Sequence, residues 1–111
     1  MTVMFINLFE VPAGRDEAFR LLWEQVNTYM RAQPGYQDHR LHRALADDAR
    51  YRYVNVAAWE SAGAWQAAHD EGFRKLVTQP QWREFPSTPA LYEAVHTGQQ
   101  QPDRLDAAGK Q

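Results

Sequence analysis

The sequence predicts one α+β domain with the element order β-α-β-β-α-β, and three patterns predict it. Alternating apolar residues mark strands that begin near residues 3 and 51, and a short apolar run near residue 90 marks another. Apolar residues at a 3.6-residue spacing mark a helix after the first strand and a second helical region after Trp59. Two βαβ halves with right-handed crossovers give a four-stranded antiparallel sheet with both helices on one face, the ferredoxin-like βαββαβ plait.

Length and composition limit the classes of function. At 111 residues the chain makes one domain, predicted over residues 1–97, and the polar residues 98–111 are predicted to be a disordered C-terminal tail. A net charge of -2 gives no electrostatic reason to expect nucleic acid or an anionic membrane as a partner. The chain has no cysteine, which excludes disulfides and thiolate metal sites. It also has no signal-peptide pattern and no apolar run of about 20 residues, so we expect a cytoplasmic protein.

The first strand and the first helix have the clearest patterns. The strand is predicted over Val3–Val11 and has two mostly apolar faces, which is typical of a central strand. Asn7 is its one polar interior residue, and a buried carboxamide needs hydrogen-bond partners. The helix is predicted over Arg15–Gln33 and ends at Pro34-Gly35, because the residue before a proline disfavours helical conformation. The buried face of the helix is predicted to consist of Phe19, Leu22, Trp23, Val26 and Met30.

The remaining elements follow in order. Tyr36–Leu45 is predicted to be an edge strand because it is rich in charged residues. A hairpin loop leads to the third strand, Tyr51–Trp59, after which Ser61 is the predicted N-cap of the second helical region. Gly72 is expected to break that region into two helices. Residues 81–89 are predicted to be a loop, and the last strand is predicted over residues 90–96.

The third strand carries the strongest sign of a binding site. One of its faces is small and aliphatic, and we expect this face to pack under the helices. The opposite face combines phenols, a carboxamide and an indole, which suits a pocket for a flat organic molecule. The residues of this second face are Tyr51, Tyr53, Asn55, Ala57 and Trp59.

The topology also brings two asparagines together. The first and third strands are predicted to be parallel neighbours, with Asn7 and Asn55 about 5 Å apart on the sheet face that carries no helix. That face would expose a large apolar patch on a monomer. The sequence therefore predicts a homodimer that packs through the open sheet face and encloses a pocket.

Three segments together resemble the antibiotic biosynthesis monooxygenase superfamily, whose members form dimeric α+β barrels. They are Ile6-Asn7 through Gly14, the helix exit Pro34-Gly35-Tyr36, and Trp59-Glu60-Ser61 with the helix that follows. The resemblance extends over about residues 2–96. It implies a monooxygenase domain in a homodimer.

One branch of the superfamily oxidises anthrone-type polyketides to quinones with molecular oxygen and no cofactor. Its pocket uses an Asn on the first strand, and an Asn and a Trp four residues apart at the end of the third strand. Asn7, Asn55 and Trp59 match this pattern, so the resemblance implies these as catalytic residues, a small aromatic substrate and O2 as partners, and no cofactor or metal. The predicted substrate-binding residues are Phe5, Phe9, Tyr51, Tyr53, Trp65 and His69. His69 is also a candidate base.

Two alternative functions remain open on the sequence alone. A haem-degrading branch needs a Trp and an axial His on the second helix, but the corresponding positions here are Ala68 and the region of Val77. The chain is alternatively a non-catalytic small-molecule-binding dimer, in which the two asparagines bind each other and the Trp and His residues are structural. A histidine metal site is not expected, because His39 and His42 face opposite sides of their strand.

Overall fold

A computed structural model describes residues 1–101 and confirms the predicted fold class. Its four strands form one antiparallel sheet in the order β2-β3-β1-β4. The elements are β1 (Val3–Phe9), α1 (Asp16–Arg31), β2 (Tyr36–Arg43), β3 (Tyr53–Trp59), α2 (Ala62–Ala68), α3 (Glu71–Val77), a 3₁₀ helix (Pro80–Glu84) and β4 (Ser87–Tyr92). Of the predicted tail, residues 98–101 have no regular secondary structure, and the rest lies outside the described residues.

Helix α1 forms where the sequence predicts it. Asp16 and Glu17 occupy its first turn, where the helix dipole favours negative charge. Phe19 in the middle of the helix is fully buried. The chain leaves the helix through Gly35, which has a φ of +90°. A Cβ at Gly35 would lie 2.5 Å from Cβ of Ala64, so both the left-handed backbone and the close approach of α2 require glycine.

The second helical region is broken, as predicted, and the break lies at residues 69–70 rather than at Gly72. Ser61 caps α2 by accepting a hydrogen bond from the Ala64 N–H at 3.0 Å. Asp70 caps α3 by accepting one from the Phe73 N–H at 3.1 Å. The Tyr29 hydroxyl also donates to Asp70, at 2.5 Å, which fixes the start of α3 against α1. An aspartate N-cap therefore sets the position of the break.

The strand directions correct one prediction. β1 and β3 are antiparallel rather than parallel, and Asn7 pairs directly with Asn55. The reason is topological: the α1 crossover makes β1 and β2 parallel, and the turn after β2 reverses the chain before β3 is inserted between them. The predicted pairing of the two asparagines is correct, although it was derived from the wrong strand direction.

The faces of the sheet are also the reverse of the prediction. The face that carries Asn7 and Asn55 lies under the helices, and the aliphatic face is the open one. Side chains of α1 pack on the aromatic sheet face: the ring of Phe19 lies 4.9 Å from that of Phe9 and 4.8 Å from that of Tyr53. Five larger apolar residues of the open face are only partly buried: Met4, Ile6, Leu8, Val54 and Val56.

The segment before β4 is more regular than predicted. The 3₁₀ helix occupies part of the predicted loop, and β4 begins at Ser87, three residues before the predicted start. Pro89 lies within β4 because an edge strand tolerates the missing N–H. Arg15 at the start of α1 holds the 3₁₀ helix through two hydrogen bonds to the Glu84 carboxylate, at 2.5 and 2.9 Å. Among the described helices, none has the length and apolarity to cross a membrane.

Candidate active site

A cavity of about 650 Å³ lies between the sheet and the helices. β1 and β3 form its floor, and residues from α1, from the α2–α3 segment and from the 3₁₀ helix form its walls. All of the predicted site residues except Tyr51 and Tyr53 line it: Phe5, Asn7, Phe9, Asn55, Trp59, Trp65 and His69. The cavity is thus formed by one chain and lies under the helices, whereas the prediction placed it between or beside the open sheet faces of two chains.

Asn7 and Asn55 lie opposite each other on the cavity floor. Asn55 is 6% exposed, and the side-chain oxygens of both residues are buried. Neither oxygen has a hydrogen-bond partner among the described residues. A hydrogen bond between the two amides would need one of these oxygens as acceptor, so the asparagines do not satisfy each other. They are unsatisfied polar groups on an apolar cavity floor.

Trp59 closes the end of β3, four residues along the strand from Asn55. Its side chain is 1% exposed, and its indole packs edge-on against the Tyr36 ring, with the ring centroids 5.2 Å apart. Tyr36 itself lines the cavity. Trp59 is therefore both a core residue and part of the cavity wall.

Trp65, His69 and Phe73 form an aromatic row along the α2–α3 segment. The Trp65 ring lies 5.5 Å from that of Phe5 and 4.1 Å from that of His69, and His69 lies 4.3 Å from Phe73. His69 Nδ1 is 2.6 Å from the carbonyl oxygen of Trp65. Because a carbonyl only accepts hydrogen bonds, Nδ1 is the donor, and in the neutral imidazole Nε2 is left as the unprotonated acceptor. This is the form that a general base requires.

Tyr51 and Tyr53 do not line the cavity that the other predicted site residues share. Tyr53 lies in the core, and its hydroxyl donates to the Asp16 carboxylate at 2.8 Å. This hydrogen bond, followed by that from Arg52, holds the pKa of Asp16 below its ordinary value. Tyr51 precedes β3, and its ring lies under the guanidinium of Arg50 at 5.1 Å. Both tyrosines lie towards the Phe9 end of β1, where the core around Phe19 fills the space.

Several cavity residues were not predicted from sequence patterns. Trp82 of the 3₁₀ helix lines the cavity and packs 6.1 Å from Phe9, and its indole nitrogen is buried without a partner, as is that of Trp65. Arg83 is the only Lys, Arg, Asp or Glu among the lining residues. A five-residue 3₁₀ helix flanked by prolines has no periodicity that would assign Trp82 to an interior face.

A hydrogen-bonded group from α1 and β2 forms another part of the wall. Asn27 Nδ2 lies 3.3 Å from the Tyr36 hydroxyl, which lies 2.6 Å from His39 Nδ1. Burial raises the pKa of the Tyr36 phenol. Burial, with the positive charge of Arg31 in second place, lowers the pKa of His39, so the imidazole is neutral at pH 7.

Within the described residues, no three His, Cys, Asp or Glu side chains are grouped so that they would hold a metal ion. The two positions that the haem-degrading pattern assigns to Trp and His are occupied by Ala68 and Val77. Ala68 is buried in the core, and Val77 lines the cavity as an aliphatic residue. At neither position does the chain offer an axial ligand.

Known proteins are similar to this chain in sequence and in fold. Residues 2–85 match the family model for antibiotic biosynthesis monooxygenase. A candidate monooxygenase from Shewanella loihica PV-4 is 33% identical, with 86% of this chain and 96% of the other aligned and a TM-score of 0.73. SnoaB, a cofactor-independent oxygenase from Streptomyces nogalater, is 30% identical, with 86% and 95% aligned and a TM-score of 0.72.

A more distant structure shows only the shared fold. A MhuD variant with two manganese protoporphyrin IX molecules bound per active site is 24% identical, with 88% of this chain and 99% of the other aligned and a TM-score of 0.65. A comparison with curated protein sequences finds no significant match. The family model covers most of the chain, and the chain therefore belongs to the antibiotic biosynthesis monooxygenase family.

Proposed function

We propose that this protein is a cofactor-independent monooxygenase that oxidises a small, flat aromatic or polyketide-like substrate, such as an anthrone or a quinol, with molecular oxygen. The observation that carries the proposal is the pair Asn7 and Asn55, whose side-chain oxygens lack partners on the floor of an aromatic cavity. Buried polar groups without partners are rare in folded proteins, and a ligand that pairs with them restores the missing hydrogen bonds. The similarity to SnoaB supports the same class of reaction.

The reaction needs a carbon acid as substrate. A base removes a proton from the substrate CH₂ group, and the electron pair stays on carbon and is delocalised onto a conjugated oxygen. This carbanion passes electrons to O2, and a carbon–oxygen bond forms to give a peroxide anion, which takes the first proton back from the base and becomes a hydroperoxide. Loss of the second carbon-bound hydrogen and cleavage of the O–O bond give a carbonyl and water. The sum is CH₂ + O2 → C=O + H₂O, in which the substrate supplies all of the electrons.

The asparagines act on the developing negative charge. The unpartnered side-chain oxygens accept hydrogen bonds from a substrate hydroxyl, while the N–H groups of the same amides are the donors for the developing charge. Donors directed at an oxygen that becomes an enolate stabilise the transition state, as in an oxyanion hole, by about 3–4 kcal/mol for one donor. Because Asn7 and Asn55 are fixed on paired strands, they need no reorganisation when the charge forms.

His69 is the proposed base for the first proton, because its Nδ1 is committed to the Trp65 carbonyl and its Nε2 is free to accept. Trp59 and the aromatic row of Trp65 and Phe73 form flat walls for a planar ring system. The space between these walls excludes water from the carbanion, which water would otherwise reprotonate.

We also propose that the protein is a homodimer through the open sheet face. The partly buried aliphatic residues of that face include Ile6 and Val56, which pair with each other in the centre of the sheet. An apolar sheet face of this kind on a soluble chain is stabilised by packing against a second sheet. In this arrangement the two cavities lie on the outer sides of the two sheets.

Oxygen uptake with dithranol, a dihydroxyanthrone, tests the activity. We expect metal-free wild-type protein to consume one O2 for each quinone formed, well above the uncatalysed rate. A matched titration with hemin tests the haem alternative: a Soret shift at micromolar hemin, together with no dithranol oxidation, would replace this proposal by a haem function.

A further inference from the structure

A phenol–imidazole pair joins the cavity to the opposite side of the protein wall. Tyr36 lines the cavity, whereas His39 lines a separate, shallow groove between α1 and the edge strand β2, together with Arg20 and Arg40. The Tyr36 hydroxyl and His39 Nδ1 are 2.6 Å apart, which is within hydrogen-bond distance. The two side chains thus form a continuous hydrogen-bonded connection between the cavity and the groove.

A β-bulge makes this connection possible. Residues three apart in a regular strand point to opposite faces of a sheet. In β2, Tyr36 pairs with Trp59 and Asp38 pairs with the next residue of β3, Ala58, so Gln37 is an additional residue. The bulge turns Tyr36 and His39 to the same face and brings their side chains together.

The neighbouring groups allow the phenol to donate to His39. The Asn27 amide donates to the Tyr36 hydroxyl at 3.3 Å, so the phenol hydrogen is available for His39. Burial and the charge of Arg31 lower the pKa of His39, while Asp38 opposes them, which favours the neutral ring. A relay requires the tautomer in which Nδ1 accepts from the phenol and Nε2 carries the ring hydrogen.

We propose that Tyr36 and His39 form a proton relay that removes the second carbon-bound hydrogen of the substrate. The inference rests on the proposed oxygenase function. That reaction takes two hydrogens from one carbon in separate steps, and His69 on a different wall serves the first. After oxygen has added to the carbon, the remaining hydrogen points away from the peroxide, so a second base on another wall serves this step.

The atoms and electrons of this step balance. The Tyr36 oxygen takes the carbon-bound proton as the phenol hydrogen passes to His39 Nδ1, and the C–H electron pair forms the carbonyl bond. The O–O bond breaks at the same time, and its electron pair leaves with hydroxide. The imidazolium of His39 then gives a proton to that hydroxide, directly through Tyr36 or by exchange with water in the groove, and water is the product.

The test compares O2 uptake with quinone formation for dithranol in the Tyr36→Phe and His39→Gln variants. We expect both variants to consume O2 at close to the wild-type rate, while quinone formation slows by roughly tenfold to a hundredfold and a substrate hydroperoxide accumulates. His42→Gln and Tyr92→Phe, which change the same residue types outside the cavity, are expected to keep the wild-type ratio of one quinone to one O2.

Three results would overturn the relay without affecting the proposed function. Variants that form quinone at the wild-type rate, or that lose O2 uptake and quinone formation in equal proportion, would show that the pair does not serve the second step. Nitrogen NMR of His39 in the resting wild type gives a readout without turnover: we expect protonated Nε2, and a protonated Nδ1 would remove the relay. Wild-type protein that consumes no O2 would instead overturn the proposed function and the relay with it.

Discussion

Asn7 and Asn55 pair directly across the antiparallel strands β1 and β3, yet their side-chain oxygens bind neither each other nor any other described residue. A buried acceptor without a partner destabilises the folded state by about 1–3 kcal/mol. The pair therefore represents a loss of stability at the floor of the cavity that a bound ligand with hydrogen-bond donors would remove. This relationship connects the fold of the protein to its proposed activity.

The first prediction concerns the stability of the substrate-free protein. Asn55→Val removes one unsatisfied amide and places a β-branched residue in a buried strand position, so we expect the free energy of unfolding to rise by about 1 kcal/mol. The same variant should lose oxygenase activity. Asn27→Ala is the control, because it removes an amide that does have a partner, Tyr36, and should lower stability. Urea unfolding measures the free energy of unfolding of the two variants. An Asn55→Val variant that is less stable than the wild type would contradict the account of the cavity floor.

The second prediction compares two helical glycines. A Cβ at Gly72 would lie 2.5 Å from the Tyr29 hydroxyl, which is held by Asp70, so Gly72→Ala should lower the free energy of unfolding by about 1–3 kcal/mol. A Cβ at Gly63 would meet only the Ser61 hydroxyl, at 3.8 Å, and Gly63→Ala should raise stability by about 0.5–1 kcal/mol. Thermal unfolding of the two variants gives the comparison. Equal effects would mean that α3 does not pack on Tyr29 in this way.

The third prediction concerns the proposed dimer. Wild-type protein should sediment at about twice the 12.9 kDa mass of the chain. Val56→Glu and Ile6→Glu place a carboxylate in the centre of the open sheet face and should give monomers. Leu21→Glu changes a 62% exposed residue on α1 and should leave the dimer intact. A wild-type monomer at micromolar concentration would show that the open face is not a homodimer interface.

The fourth prediction is a dependence of stability on pH. The hydrogen bond from Tyr53, and then Arg52, lower the pKa of Asp16 in the folded protein below its ordinary value of 3.8. This contribution to stability is complete above the ordinary value and is lost as the pH falls through the folded-state pKa. Asp16→Asn should therefore lower stability at neutral pH and reduce its loss in acid. Unfolding curves that remain a constant distance apart from pH 7 to pH 2 would contradict this assignment.

Much of the fold follows from the periodicity of apolar residues, but periodicity does not show which face of the sheet the helices cover. Both faces of β1 are apolar, so alternation alone does not show which face the helices cover. The polar atoms of Tyr53 and Asn55 suggested exposure, yet Tyr53 finds Asp16 inside the protein and Asn55 faces a cavity. The face is identified only by the three-dimensional contacts of α1, such as the Phe19 ring 4.8 Å from that of Tyr53.

The candidate site could also be predicted only in part. Asn7, Asn55 and Trp59 could be proposed from the sequence because they lie on regular strands at spacings that match a family pattern. Trp82 could not be assigned to the cavity because it lies on a 3₁₀ helix without periodicity. The contact between Tyr36 and His39 depends on a bulge, and no spacing rule for a regular strand predicts it.

The central claim is that the asparagine pair stabilises a substrate anion that reacts directly with oxygen. The most direct measurement is O2 uptake with dithranol by metal-free wild-type protein and by the Asn7→Ala, Asn55→Ala double variant, with folding checked by circular dichroism. We predict that the folded double variant loses catalysed uptake by roughly a hundredfold or more. Uptake by the double variant at the wild-type rate would contradict the claim.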